Sequence, residues 1–60
     1  MLFRVCMDES IIIAYDILEL AKTRAKSLKK KYPNSKISVA WTFWPVGNKK
    51  PYNHSIEVTI

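Results

Sequence analysis

Residues 8–15 read DESIIIAY, and their interpretation determines how the chain leaves its first strand. Either Asp8 or Ser10 can accept a hydrogen bond from the free backbone N–H groups of a first helical turn. The carboxylates of Asp8 and Glu9 also suit the positive end of a helix dipole. The segment therefore predicts a helix start, and the pattern that follows extends this helix to about Lys31.

A periodic apolar face supports the predicted helix. Its members recur at three- and four-residue spacing: Ala14, Ile17, Leu18, Ala21, Ala25, Leu28 and Tyr32. Three lysines, at 29–31, suit the negative end of the dipole, and Pro33 disfavours helical geometry at the preceding residue. A helix of about 23 residues is roughly 34 Å long. It should overhang strands of about eight residues, which span roughly 26 Å.

Segments on both sides of the helix alternate between apolar and polar residues, as strands do. Residues 1–7 form the first such segment and residues 37–44 the second. Residues 45–51 predict a loop with Gly47-Asn48 at its tip, and the last strand runs from about Asn53 to Ile60. The predicted inward-facing residues are Met1, Phe3, Val5, Met7, Ile37, Val39, Trp41, Phe43, Ile56, Val58 and Ile60.

These elements predict a single small α+β domain over residues 1–60. The order is β-α-β-β, with one long helix packed on one face of a three-stranded sheet. If the first two strands are neighbours, a right-handed crossover makes them parallel. If the third strand lies between them, every pairing is antiparallel. The sequence leaves both orders open.

Charge is distributed unevenly along the chain. Residues 1–19 carry four acids against one arginine, a net −3, and residues 20–60 carry nine cations against Glu57, a net +8. Such a field attracts polyanions or acidic protein faces. Lys22, Lys26 and Lys30 follow at four-residue intervals on the predicted helix. This stripe either binds phosphates or an acidic protein groove, or only solvates the helix.

The C-terminal hairpin combines cations with aromatic rings. Trp44, Lys49, Lys50, Tyr52 and His54 lie near one loop. Rings beside cations suit single-stranded nucleic acid, on which bases stack. Alternatively, Trp44 packs over the loop or against Tyr52 as a local cluster. No RNA-recognition, zinc-finger or helix-turn-helix pattern supports nucleic-acid binding.

Two apolar surfaces are also expected. Ile12 falls on the outer face of the predicted helix, beside Tyr15 and Glu19, as a modest exposed patch. The sheet face opposite the helix is uncovered, and its residues are small or apolar: Leu2, Cys6, Ala40, Thr42, Trp44 and Thr59. A homodimer through this face, or docking on another protein, would cover it. Ordinary exposure of single residues is the alternative.

Nothing in the sequence predicts catalysis, a cofactor or a metal. One glycine excludes a glycine-rich phosphate loop. Cys6 and His54 are the one conceivable nucleophile–base pair, and they are too few for a structural zinc site. The β-α-β-β order in about 60 residues resembles the architecture of the 4-oxalocrotonate tautomerases. Those enzymes use an N-terminal proline as base, whereas this chain begins Met1-Leu2, so no enzyme is expected.

The longest apolar run, Ile11 to Ala14, is too short to span a bilayer, and no signal peptide is visible. With one unpaired cysteine, the chain is expected to be soluble and cytoplasmic. One glycine with many Lys, Ile, Ser and Tyr residues is typical of AT-rich coding sequence. The start at Met1 predicts a complete small reading frame, and this composition favours a source in a phage or mobile element.

The sequence therefore predicts a small non-enzymatic binding protein that regulates or inhibits a macromolecular partner through protein–protein interaction, plausible for a phage accessory protein. An acidic protein surface is the preferred partner, and a nucleic acid is the alternative. The predicted partner-binding residues are Ile12, Tyr15, Lys22, Lys26, Lys30, Trp44, Lys49, Lys50 and Tyr52.

Overall fold

A computed structural model describes residues 1–47 and 49–59. The elements in chain order are β1 (Phe3–Met7), β2 (Ser10–Tyr15), α1 (Leu18–Lys31), β3 (Ile37–Phe43) and β4 (Tyr52–Glu57). The α+β class is confirmed, with one helix on one sheet. The predicted three strands are wrong, because the sheet has four, in the order β2-β1-β3-β4 with every neighbouring pair antiparallel.

The additional strand is β2, in the segment that was predicted to start the helix. Asp8 and Glu9 have positive φ angles of 51° and 71°, and Met7 pairs with Ser10 across them. Positive φ at both central residues is the geometry of a type I′ two-residue hairpin. The isoleucines at 11–13 favour this outcome, because β-branched side chains lose freedom in a helix and pack well on a pleated sheet.

Asp8 therefore caps no helix and instead ties the β1–β2 turn to the start of β3. Its Oδ1 accepts a hydrogen bond from the Lys36 backbone N–H, at 2.9 Å. Its own N–H donates to the Lys36 carbonyl, also at 2.9 Å. The carboxylate satisfies a backbone donor, as predicted for a cap, but that donor lies 28 residues further along the chain.

The helix is shorter than predicted. It has 14 residues, or about 21 Å, while the seven residues of β3 span about 23 Å. The predicted overhang is therefore wrong. Ile17 takes the N-cap position in extended geometry without a side-chain hydrogen bond. Ala14 and Ile17 consequently leave the predicted helical face.

The core lies between α1 and the sheet. Leu18 and Leu28 pack at its margin, as the helical spacing predicted. The fully buried residues are Val5, Ala21, Ala25, Ile37 and Val39. The helix packs over β1, β2 and β3, and its footprint among the described residues does not reach β4.

The strand arrangement matches neither alternative that the sequence left open. β1 and β3 are neighbours, yet they run antiparallel. The hairpin to β2 reverses the chain once before the helix, so the strand after the helix runs opposite to β1. The β-α-β-β resemblance to the tautomerase architecture is lost for the same reason.

The predicted inward alternation of β3 is confirmed for Ile37, Val39 and Trp41, whereas Phe43 is exposed. Ile56 in β4 remains 40% exposed, and Val58, which follows β4, packs at the core margin. The predictions for Asn48 at the loop tip and for Ile60 lie outside the described residues.

Candidate partner-binding surfaces

An aromatic row crosses all four strands on the helix side of the sheet. Tyr15 pairs with Phe3 across β2 and β1, and Trp41 pairs with His54 across β3 and β4. The rings of Phe3 and Trp41 are 5.5 Å apart between centroids. Trp41 and His54 stack at 5.6 Å with 18° between their planes. Strand register alone aligns these four residues, because directly opposite residues share one face.

A second aromatic row follows toward the β3–β4 loop. Phe43 pairs with Tyr52, and the Tyr52 ring lies 6.5 Å from that of His54. Tyr52 is 55% exposed and Trp44 is 62% exposed. We call Phe43, Trp44, Tyr52 and His54 the hairpin aromatics. They lie at the end of the sheet where α1 begins.

Lys49 and Lys50 are exposed in the same loop and place two cations at this end of the molecule. The sequence predicted rings and cations together here. It missed Phe3 and Trp41 as part of the same ring system, because the Phe3–Trp41 and Trp41–His54 contacts depend on a strand order that the sequence left open. Phe43 was assigned to the core because alternation places it on the same face as Trp41, yet Phe43 is 43% exposed.

The lysine stripe lies on the β4 side of α1. Lys22 and Lys26 line a groove of about 240 Å³ between the helix and β4. The floor of this groove is apolar, from Val39, Ile56 and Val58, and Glu57 adds one carboxylate. The predicted spacing of Lys22, Lys26 and Lys30 is confirmed, because all three fall within α1.

The last turn of α1 contains three lysines, at 29–31, and one of them bonds to the backbone that follows the helix. Lys26 and Lys30 line a shallow neighbouring surface with Thr23 and Ser27. Lys29 Nζ donates to the carbonyl of Ser35 at 2.8 Å, which helps close the helix end. Within the stripe, Lys26 and Lys30 are exposed and Lys22 is half-buried.

The predicted Ile12–Tyr15 patch on the outer helix face is wrong in its placement. Both residues belong to β2. Val5 pairs with Ile13 and Cys6 with Ile11, so Ile12 is the extra residue of a β-bulge. Ile12 is 44% exposed, whereas Tyr15 is half-buried against the core. The exposed isoleucines therefore line an edge of the sheet.

Among the described residues, no helix or strand covers the sheet face away from α1. Cys6, Ala40 and Thr42 lie there half-buried, as predicted. Arg4 lies on this face too, as the alternation of residues 1–7 predicts. Its Nη2 donates to Thr42 Oγ1 at 3.5 Å, and that hydroxyl donates to Asn53 Oδ1 at 2.9 Å. A polar row thus crosses this face.

Cys6 and His54, the residues considered as a nucleophile and its base, lie on opposite faces of the sheet. Cys6 is opposite Ser38 on the uncovered face, whereas His54 is opposite Trp41 on the helix side. The sheet therefore separates the one conceivable nucleophile–base pair. In residues 1–47 and 49–59, no three His, Cys, Asp or Glu side chains are grouped to hold a metal ion. Over the same residues, no helix has the length and apolar character needed to cross a membrane.

No known protein family matches the sequence, and comparison with curated proteins and with solved structures found no similar protein.

Proposed function

We propose that this protein is a small non-enzymatic binding protein that regulates or inhibits a macromolecular partner through protein–protein contact. Its partner presents an acidic surface. The hairpin aromatics supply the anchoring contacts, and Lys49 and Lys50 attract the partner to them.

The observation that carries this proposal is the balance between buried and exposed apolar side chains. Among the described residues, five form the fully buried core, and two of them are alanines. Twelve large apolar residues of the described chain are at least 40% exposed: Met1, Leu2, Ile11, Ile12, Ile17, Leu20, Tyr32, Phe43, Trp44, Val46, Tyr52 and Ile56. Exposed apolar side chains that lie side by side, as Phe43 and Tyr52 do on paired strands, mark interaction surfaces.

The hairpin end has the composition of a protein-binding hot spot. Tryptophan and tyrosine are the residue types that most often dominate binding free energy, and charged residues at the rim mainly raise the association rate. Trp44 and Tyr52 provide the first type, and Lys49 and Lys50 the second. The net charge of +5 favours an acidic partner.

A protein partner fits this arrangement better than a single-stranded nucleic acid. RNA-binding sheets present their stacking aromatics across the sheet surface where bases can lie flat. Here the uncovered face carries Arg4, Ala40 and Thr42. The ring row lies on the helix side, where Trp41 and His54 already stack on each other.

The test is affinity capture by the tagged protein from a lysate of its source cells, with and without nuclease. Tyr52→Ala is compared with Tyr32→Ala, which removes another exposed tyrosine at the opposite end of the molecule. We expect one dominant protein that survives nuclease, is lost with Tyr52→Ala and is retained with Tyr32→Ala. Capture that disappears with nuclease would instead support nucleic-acid binding.

A further inference from the structure

The sheet has two free edges, formed by β2 and β4. Each edge strand offers backbone N–H and C=O groups that have no strand partner within the described chain. Such groups pair readily with a strand from another molecule unless charge, proline or covering elements prevent it. The two edges differ in the charge of their flanking residues, and this difference indicates which strand each edge can pair with.

The β2 edge is apolar and has acidic residues at both ends. Residues 10–15 contain no charge, and Ile11 is 62% exposed. Asp8 and Glu9 precede the strand, and Asp16 follows it. No lysine or proline protects the strand itself, and the bulge at Ile12 is a local distortion of its edge.

The β4 edge has lysines at its start and on its helix side. Lys49 and Lys50 precede the strand, and Lys22 and Lys26 border it on the helix side. Glu57 is the one acidic residue of the strand. The helix footprint stops short of β4, so a neighbouring strand would meet no steric obstacle from α1.

Strand directions also match. All three neighbouring pairs are antiparallel, so β2 and β4 run in opposite directions. A second copy moved sideways along the sheet therefore sets its β2 antiparallel to β4 of the first, with both helices on the same face. We propose that the chain assembles head to tail, with β2 of one copy pairing with β4 of the next to form a continuous antiparallel sheet.

One end of the β2–β4 contact is complementary in charge, whereas at its other end the turn at residues 8–9 lies near Glu57. Tyr15 and His54 belong to the same row across the sheet, so the end of β2 and the start of β4 lie at the same level. Pairing of two copies brings Asp16 of one toward Lys49 and Lys50 of the other. A symmetric β2–β2 pairing would instead bring the acidic turn at residues 8–9 toward Asp16, which disfavours it.

This inference goes beyond the proposed function and does not depend on it. In such an assembly, successive copies would present their hairpin aromatics on one side. A partner with repeated acidic sites would then be bound at several points, and the apparent affinity would rise without any new type of contact.

Sedimentation velocity across a wide concentration range tests the assembly. The wild type should form a concentration-dependent series of species. Asp16→Lys, and separately Lys49→Glu with Lys50→Glu, should each weaken association by about tenfold. The combined variant carrying all three changes restores opposite charges at the β2–β4 contact and should recover association.

The control is Lys31→Glu, which reverses a lysine at the far end of α1 and outside the lysine stripe, and should leave association unchanged. Circular dichroism verifies that every variant is folded. A wild type that remains monomeric throughout would overturn the proposal. So would association that the charge changes leave unaltered, or a combined variant that fails to recover.

Discussion

Among the individual residues, Trp41 connects the aromatic row to the buried core. It lies between the rings of Phe3 and His54 and packs at the margin of the buried core. Its neighbour Trp44, three residues later, is 62% exposed. Two tryptophans on one segment thus have different surroundings, and substituting each should affect different properties.

Trp41→Ala should destabilise the fold by about 3–5 kcal/mol, because it removes a large ring from a small core. For a domain of 60 residues, that loss is comparable to the whole free energy of unfolding. Urea denaturation followed by circular dichroism measures it. Trp44→Ala is the control and should stay folded. A Trp41→Ala protein as stable as the wild type would contradict the assigned role in packing.

Glu9 adopts a φ angle of 71° in the β1–β2 turn, a conformation that costs a residue with a Cβ roughly 1–2 kcal/mol. Glycine adopts it without that cost and is the preferred second residue of a type I′ turn. Glu9→Gly should therefore raise the free energy of unfolding by about 1 kcal/mol. Chemical denaturation tests this increase. A decrease would show that the Glu9 side chain itself stabilises the turn.

At the element scale, the sequence located α1 from Leu18 onward, β1 and β3, because their apolar periodicities are clear. It did not reveal β2. The three isoleucines at 11–13 have no periodicity that separates strand from helix. The Asp8-Glu9 turn lacks the asparagine–glycine or aspartate–glycine signal of a tight hairpin. The lysine stripe was placed correctly because it lies within α1, and Ile12 was misplaced because it does not.

The N-terminus of α1 lacks a side-chain cap. Ile17 is the N-cap residue, is more than half exposed and makes no side-chain capping bond. A serine there can accept a hydrogen bond from a free N–H of the first turn. Ile17→Ser should stabilise the protein by about 1 kcal/mol, measured by urea denaturation. Destabilisation would mean that the isoleucine contributes more by packing than its exposure indicates.

At the scale of the whole molecule, the described chain measures 41 × 18 × 18 Å. The hairpin aromatics and two lysines lie at one end of the sheet, and the acidic turn at residues 8–9 lies at the other. The proposed function assigns anchoring to the hairpin aromatics and steering to Lys49 and Lys50. Kinetic measurements on the captured partner can separate the two contributions.

Trp44→Ala should weaken partner binding by upward of about 2 kcal/mol, mainly through faster dissociation. Lys50→Glu should mainly slow association, and this effect should shrink as salt is added. Surface plasmon resonance at two ionic strengths measures both rates. A loss below about 0.5 kcal/mol for Trp44→Ala would remove this residue as an anchor.

Because α1 packs over β1, β2 and β3 but not β4, the last strand is attached mainly through its ladder with β3. Strands held by few apolar contacts open locally at a lower free energy than the core, without global unfolding. Amide hydrogens in β4 should consequently exchange with deuterium faster than those of β1. Any molecule that binds beside β4 would reveal itself by slowing this exchange, even where it changes no backbone position.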